Sequence, residues 1–456
     1  MTNRLPIAII GAGPVGLAAA SHLLERGETP LVFEAGPDAA TAVREWQHVR
    51  LFSPWKYNID DASRRLLREA GWVEPDPNVL PTGRDLREQY LRPLATRTRL
   101  ARHIQYKSRV VAITRDGRDK MKTADRGSRP FTLKIESDGG TVWKKARAVI
   151  DASGTWFTPN PAGASGVAVP GEEAHSAHIT YGIPDVLRAN RDDYAGQDIL
   201  VLGGGHSAMN VVLDLVTLQE VAPDTRVIWA RRSTPTEPDD FGGGRNDALA
   251  ARGALGQQAY AAIQDGRVDL VSPFLTHAIK SNHEAAPKLR ILGEQDGSTS
   301  VLHADQLVVA TGFRPDLDIL REVRIDIDPV TESVADLAPL IDPNLHSCGT
   351  VPPHGVDELT HPEKDVFIVG MKSYGRAPTF LMATGYEQVR SIAAHLTGDD
   401  EAATRIELTL PETGVCSAPA PVNEADENRA GSCCAPVPRV RRAAESATVS
   451  SSSCCA

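Results

Sequence analysis

The stretch Ile7-Ala8-Ile9-Ile10-Gly11-Ala12-Gly13-Pro14-Val15-Gly16 decides the fold. Its first four residues are apolar and mostly β-branched, the pattern of a short strand buried on both faces of a parallel sheet. Three glycines follow at the spacing Gly-x-Gly-x-x-Gly. Gly11 makes the tight turn, Gly13 lets backbone approach a pyrophosphate, and Gly16 lets the next helix pack closely on the strand. A helix beginning near Pro14 aims its free N–H groups at the phosphates. Leu17, Ala18, Ala20, Leu23 and Leu24 supply its apolar face. Leu31-Val32-Phe33 reads as the second strand, and Glu34 ends it. An acid there accepts hydrogen bonds from ribose hydroxyls and repels a 2′-phosphate, which suits FAD or NAD and disfavours NADP.

The same layout recurs after Ile199-Leu200-Val201-Leu202, at Gly203-Gly204-Gly205-His206-Ser207-Ala208. Ala208 replaces the third glycine. The strand that follows, Arg226-Val227-Ile228-Trp229-Ala230, ends in Arg231 and Arg232 where the first unit has Glu34. Arginine here pairs with a 2′-phosphate, so this site is expected to take NADPH and the first FAD. A solvated basic pair is the alternative for these two arginines. Two such turns with opposite charges downstream imply electron transfer between two cofactors.

A chain of 456 residues is long enough for two packed domains with additions. The net charge of -10 and the lack of a long basic block argue against a nucleic-acid partner. No apolar run reaches membrane-spanning length. The first strand starts within a few residues of Met1, which leaves no room for a signal peptide, so a soluble cytoplasmic protein is expected. Of six cysteines, only Cys348 lies outside the terminal segment that holds Cys416, Cys433, Cys434, Cys454 and Cys455. The body is therefore not built on disulfides.

Arg109 to Ile113 reads as a strand that brings Val110 near the adenine of the first cofactor. Phe131 to Ile135 and Thr141 to Trp143 read as a hairpin turning at Asp138-Gly139-Gly140. Ala148 to Asp151 runs into Ala152-Ser153-Gly154, and Leu307-Val308-Val309 runs into Ala310-Thr311-Gly312. Such small-residue turns suit a crossing between two nucleotide-binding domains. Val366 to Val369, ending in Gly370, is a further buried strand, followed by a helical stretch from Thr379 to Leu396. The expected fold is α/β: an FAD-binding Rossmann-like domain (1–165 and 330–398) with an inserted NADPH-binding Rossmann-like domain (166–329). Residues 399–456, rich in Ala, Pro, Ser, Glu and Cys, are expected to form a disordered tail.

With both turns, Asp151-Ala152-Ser153-Gly154, Ala310-Thr311-Gly312 and Gly370 taken together, the chain resembles the two-dinucleotide-domain flavoproteins. That group includes flavin-dependent monooxygenases and thioredoxin-reductase-like enzymes. Val169-Pro170-Gly171-Glu172-Glu173-Ala174-His175-Ser176 resembles the monooxygenase fingerprint Phe-x-Gly-x-x-x-His-Ser, with Val169 in the aromatic position. The Cys-x-x-Cys pair of thioredoxin-type reductases is absent, as is the paired cysteine of glutathione-reductase-type enzymes. Trp46-Gln47-His48-Val49-Arg50-Leu51-Phe52-Ser53-Pro54-Trp55 and the terminal cysteine pairs resemble the flavin monooxygenases found among bacterial arsenic-resistance genes. The resemblance implies FAD reduced by NADPH, reaction with O2, and oxygen transfer to a small soft nucleophile. It implies flavin contacts from Trp46, Gly154, Gly370 and Thr379, and NADPH contacts from Gly205, His206 and Ser207. Homodimers are common in such flavoproteins.

No catalytic side chain is required by this chemistry, because the cofactor carries it. His48, Trp55 and His175 are the candidates nonetheless. Trp46 to Trp55 is either an active-site wall or core packing. His48 either bonds flavin or substrate or is a satisfied structural histidine, and His175 either serves the fingerprint or ties the linker. Cys433-Cys434 and Cys454-Cys455 can share a soft metal or metalloid, or the tail is dispensable. The alternative function is an NADPH-dependent reductase with these cysteines as relay; a third is a metalloid-binding protein on an inactive flavoprotein body.

Overall fold

The apolar runs become strands because each is short and closes on glycine or a polar turn, leaving no length for a helix. This computed structural model describes residues 4–235, 241, 249–282, 287–345, 351–378 and 380–408. They fall within one compact unit, Met1–Ala418. All six cysteines, and Thr379, lie outside the described residues.

β1 (Ile7–Ile10) leads through the first glycine turn into α1 (Pro14–Glu25) and β2 (Pro30–Phe33). After β3 (Ile104–Gln105) comes an antiparallel meander of β4 (Ser108–Arg115), β5 (Phe131–Ser137) and β6 (Gly140–Ala146). Its second hairpin turns at Gly140, whose φ of +100° only glycine adopts readily. β7 (Ala148–Asp151) closes this part. The chain then builds β8 (Ile179–Tyr181), β9 (Asp198–Leu202), α2 (His206–Leu218), β10 (Arg226–Ala230) and β11 (Asp269–Val271). A second meander follows, β12 (Leu275–Ser281), β13 (Leu289–Gln295) and β14 (Ser298–Ala304), and then β15 (Gln306–Val309). β16 (Val366–Ile368), α3 (Met382–Leu396) and α4 (Asp400–Thr404) follow. α4 lies within the segment expected to be a disordered tail from 399: Ala402 and Ala403 are buried, and their carbonyl oxygens accept from Arg390 and Ser391 on α3, so that segment starts as packed helix and its described part ends at 408. α3 starts later than the sequence expectation from Thr379, because Leu381 is still extended at φ −116°, ψ 147°.

Two five-stranded sheets result, ordered β16-β7-β1-β2-β3 and β8-β15-β9-β10-β11, with parallel pairing throughout. They share one wiring. β9, β10, β11 and β15 repeat β1, β2, β3 and β7, and each set makes an antiparallel three-stranded excursion before its fourth strand. Only the outermost strand differs: β16 comes from later in the chain, β8 from earlier. The second sheet is thus inserted between β7 and β16, the expected α/β architecture of two Rossmann-like units. Among the described residues, no helix is long and apolar enough to cross a membrane.

α1 is buried almost all round, with Leu17 and Leu23 fully covered. Each such side chain contributes about 1.5–3 kcal/mol. A second buried feature is ionic. Glu363 accepts from Arg115 Nε at 2.8 Å and Arg126 Nε at 2.7 Å, and all three residues are almost completely buried. Arg115 also lies over the Phe131 ring, 3.6 Å from its centroid. This cluster ties the first meander to the chain entering β16. Glu363→Ala strands two buried guanidinium groups and should cost about 3–5 kcal/mol. Urea denaturation of Glu363→Ala beside wild type measures it; a loss under about 1 kcal/mol, the value of an exposed pair, would show that water reaches these arginines.

Candidate active site

The first turn sits at the carboxyl edge of its sheet, where doubly wound folds bind ligands. Gly11 has φ +97°, and a Cβ on it would stand 2.7 Å from the Ala152 carbonyl oxygen. A Cβ on Gly16 would overlap the Gly11 carbonyl oxygen. Both glycines are therefore required by packing alone. Gly13 is different: its Cβ direction meets nothing within 4 Å. It is also the N-cap of α1, and no side chain caps that helix. Open space over uncapped N–H groups fits a pyrophosphate. Glu34 is buried and accepts from Ala12 N and Gly36 N, both at 2.8 Å. It holds the turn's backbone in addition to any ribose contact, since each carboxylate oxygen can accept more than one bond.

The second turn repeats the construction. Gly203 has φ +136°, and its Cβ would overlap the Ala310 carbonyl oxygen. Gly205 caps α2 without a side-chain bond and faces open space. Trp229 Nε1 donates to the Gly203 carbonyl oxygen at 2.7 Å. Arg231 is buried, with its guanidinium 5.4 Å from the Trp229 centroid and 4.7 Å from that of Phe241, and it flanks Gly204. Arg232 is exposed.

The two units meet at the two small-residue turns. Asn160 N donates to Gly312 O at 2.9 Å, its Nδ2 to Thr311 O at 3.1 Å, and Thr311 Oγ1 returns a bond to Asn160 O at 3.0 Å. Aromatic rings line this crossing. Trp156 stacks on Phe313 at 4.9 Å between centroids, Trp46 tilts against Trp156 at 6.5 Å, and Phe52 meets His206 at 5.5 Å. Gly83 is pressed against Trp46, where a Cβ would stand 2.7 Å from the indole.

The candidates from the Trp46–Trp55 stretch separate. Trp46 is half-buried at the crossing, whereas Trp55 is buried in the core. His48 lies against Ile183, Pro184 and Asp185; burial lowers its pKa, against the opposing pull of the Asp185 carboxylate. Its Nε2 is buried and has no partner among the described residues. Asp214 on α2 is pushed up to about 6 by burial and then by Asp185. His175 donates from Nδ1 to Gly171 O at 2.7 Å and pairs through Nε2 with Ser281 Oγ at 3.1 Å, and so fastens the linker to β12. Val110 is buried in β4, while Gly154 (φ +73°) has open space in its Cβ direction. Gly370 (φ +68°) abuts Val15.

One feature of this edge escaped the sequence. Lys372, two residues past Gly370, is buried with its Nζ 2.7 Å from Asp151 Oδ2 and 3.0 Å from Ser153 Oγ. A lysine just after a strand's closing glycine was the only available signal. Trp156 and Phe313 were also missed.

The chain belongs to the pyridine nucleotide-disulphide oxidoreductase family, whose model matches residues 8–347. It is 28% identical over 225 residues to human flavin-containing monooxygenase 1, covering 47% of this chain and 38% of that one. The chain thus spans well under half the length of that relative. Among solved structures, a bacillithiol disulfide reductase from Bacillus cereus superposes with TM-score 0.63 at 20% identity, covering 87% of this chain and 99% of the other. A cadaverine monooxygenase from Erwinia amylovora, solved with FAD, gives 0.61 at 14% identity, covering 90% and 99%. At these identities the two structures show the fold.

The contrast among glycines gives a test. The Cβ of Gly13→Val meets no protein atom within 4 Å and the backbone there is ordinary, so this variant should fold as wild type yet purify without flavin absorbance. Circular dichroism with flavin absorbance reads both. A folded, fully yellow Gly13→Val protein would remove the first turn from the cofactor site.

Proposed function

We propose that this family member is an NADPH- and O2-dependent FAD monooxygenase acting on a small soft nucleophile. One observation carries the reading. Two dinucleotide turns of identical build, one acid-ended and one arginine-ended, face a crossing lined with aromatic rings, and the chain before Cys348 holds no cysteine. A flavin reductase of the dithiol type needs a thiol pair beside the flavin.

In this reading residues 1–165 and 330–398 hold FAD, with Gly11, Gly13, Pro14, Gly16, Glu34, Trp46, Val110, Gly154, Gly370 and Thr379 at the site. Residues 166–329 hold NADPH through Gly203, Gly205, His206, Ser207, Arg231 and Arg232, with Gly312 at the crossing. Bound FAD, reduced by NADPH, supplies the activation of O2. The protein's own part is orientation and dryness. Trp46, Trp156 and Phe313 exclude water from the crossing, which protects reduced flavin from unproductive reaction. Burial lowers the His48 pKa and so favours its neutral imidazole. The start of α3 offers N–H groups that would favour negative charge on the flavin.

A trivalent arsenical is the substrate this reading favours. Cys433-Cys434 and Cys454-Cys455 supply paired soft ligands suited to thiophilic As(III), able to capture it for delivery to the flavin. The deciding measurement is oxygen uptake by FAD-loaded protein with NADPH, with and without inorganic, methylated and aromatic trivalent arsenicals. Substrate-stimulated uptake with an oxidised arsenic product is the expected result. NADPH oxidation that runs anaerobically with an acceptor, and stops in Cys433→Ser/Cys434→Ser, would instead assign a reductase. Coenzyme choice has its own check: Arg232→Ala should raise the KM for NADPH by roughly tenfold or more, the value of a charge-assisted bond, and leave that for NADH little changed. Equal effects on the two coenzymes would remove Arg232 from 2′-phosphate recognition.

A further inference from the structure

An ammonium group has three N–H donors and no acceptor. Lys372 is 2% exposed and uses two donors, one on Asp151 Oδ2 and one on Ser153 Oγ. Among the described residues no third acceptor lies within hydrogen-bond distance of it. Asp151 is itself completely buried, and its other oxygen accepts from Ser153 N at 3.1 Å and Ser153 Oγ at 2.7 Å. The pair is thus closed on the Asp151 side and open on the Lys372 side. A buried donor on a charged group is costly to leave unmet, so the third N–H calls for an acceptor that the described residues do not provide.

The position of the pair says what that acceptor is. Asp151 ends β7 and stands in register with Ile10 on β1 and Ile368 on β16. Lys372 therefore sits on the carboxyl edge of the first sheet, on the side of β1 opposite β2. The open directions over Gly13 and Gly154 belong to this same edge. A dinucleotide on the Gly11–Gly16 turn has its pyrophosphate at the start of α1, and the rest of the molecule must continue along the edge. Next to the turn, that molecule offers phosphate oxygens and ribityl hydroxyls as acceptors.

We infer that Lys372 is an FAD-positioning residue: Asp151 and Ser153 fix its ammonium so that the remaining N–H is donated to an oxygen of the ribityl–pyrophosphate segment. This rests on the FAD reading above. Asp151 has a double function here. It neutralises the buried ammonium, and it directs it, since a lysine on a flexible four-carbon stem has no preferred aim of its own. The arrangement also explains Ser153 in an otherwise small-residue turn: its hydroxyl bridges the two charges.

The test is flavin binding to apoprotein, read by quenching of FAD fluorescence, with thermal unfolding of the apoprotein as the control on folding. Lys372→Met leaves Asp151 unpaired, so a loss of binding could come from instability alone. The double variant Asp151→Asn/Lys372→Met removes both charges together, which buried pairs tolerate far better than loss of one partner. Its apoprotein should unfold near the wild-type temperature yet bind FAD about tenfold more weakly or worse, the worth of a charge-assisted bond. Lys372→Arg keeps charge and donors and should recover part of that loss. Wild-type apoprotein that takes up no FAD would sink the cofactor reading itself. Wild type that binds FAD, with a double variant or Lys372→Met that binds it within twofold, would sink this inference and leave the reading intact. If neither methionine variant folds, Lys372→Arg decides: wild-type affinity together with an unaltered bound-flavin spectrum overturns the inference, and a changed affinity or spectrum supports it.

Discussion

Two carbonyl oxygens, those of Ala152 and Ala310, govern the architecture. Each occupies the space where a Cβ on Gly11 or Gly203 would lie. The glycine turn of each unit is thereby seated directly on the end of the neighbouring strand, a contact no side chain permits. Once seated, the turn has one way to continue, and α1 and α2 both begin with uncapped N–H groups over the sheet's carboxyl edge. At the turn itself the two units differ in the third glycine position. Gly16 has its Cβ direction filled by Gly11, whereas the equivalent Ala208 carries a methyl group that is fully buried. The second helix has moved off its turn by enough to admit one carbon.

The buried charges divide by where they stand. Glu363 shares its two oxygens between two arginines that also reach backbone carbonyls, among them Arg129 O and Glu322 O. Every nitrogen of the two guanidinium groups has a protein partner, and the consequence of the cluster is mechanical. Lys372 and Asp151 are as deeply buried. Desolvating a charge is costly in both places. What separates them is place: the Glu363 cluster ties a meander to the chain entering β16, whereas Lys372 stands on the carboxyl edge that also carries the open directions over Gly13 and Gly154.

What the sequence made legible is whatever short range determines. The turns at Gly11–Gly16 and Gly203–Ala208, the hairpin at 138–140, the small-residue turns after β7 and β15 and the return of β16 each follow from fewer than a dozen consecutive residues. The relations missed are those between distant positions. Lys372 meets Asp151 across 221 residues, and Trp156 stacks on Phe313 only because the two small-residue turns face each other. Trp46 and Trp55 look alike in sequence because an irregular segment has no period to assign one to the core and the other to the crossing. The start of α3 was misplaced for a related reason: the residue that stops the helix from beginning earlier is Leu381, whose extended backbone no local preference announces.

The arginine pair after β10 shows how one motif position can be split between two tasks. Arg231 lies with its cation against the faces of Trp229 and Phe241, an arrangement that aromatic quadrupoles favour, and it backs Gly204 in the turn. Its rotamers are already restricted, so a phosphate reaching it would find a guanidinium held in place and lose little entropy on binding. Arg232 is exposed and must be ordered by whatever it binds. In the proposed site, a 2′-phosphate between a held cation and an exposed one would gain orientation from the first and charge from the second. Because Arg231 also shapes the turn, its replacement alters the fold of the site as well as its charge, and coenzyme selectivity is read cleanly only at Arg232.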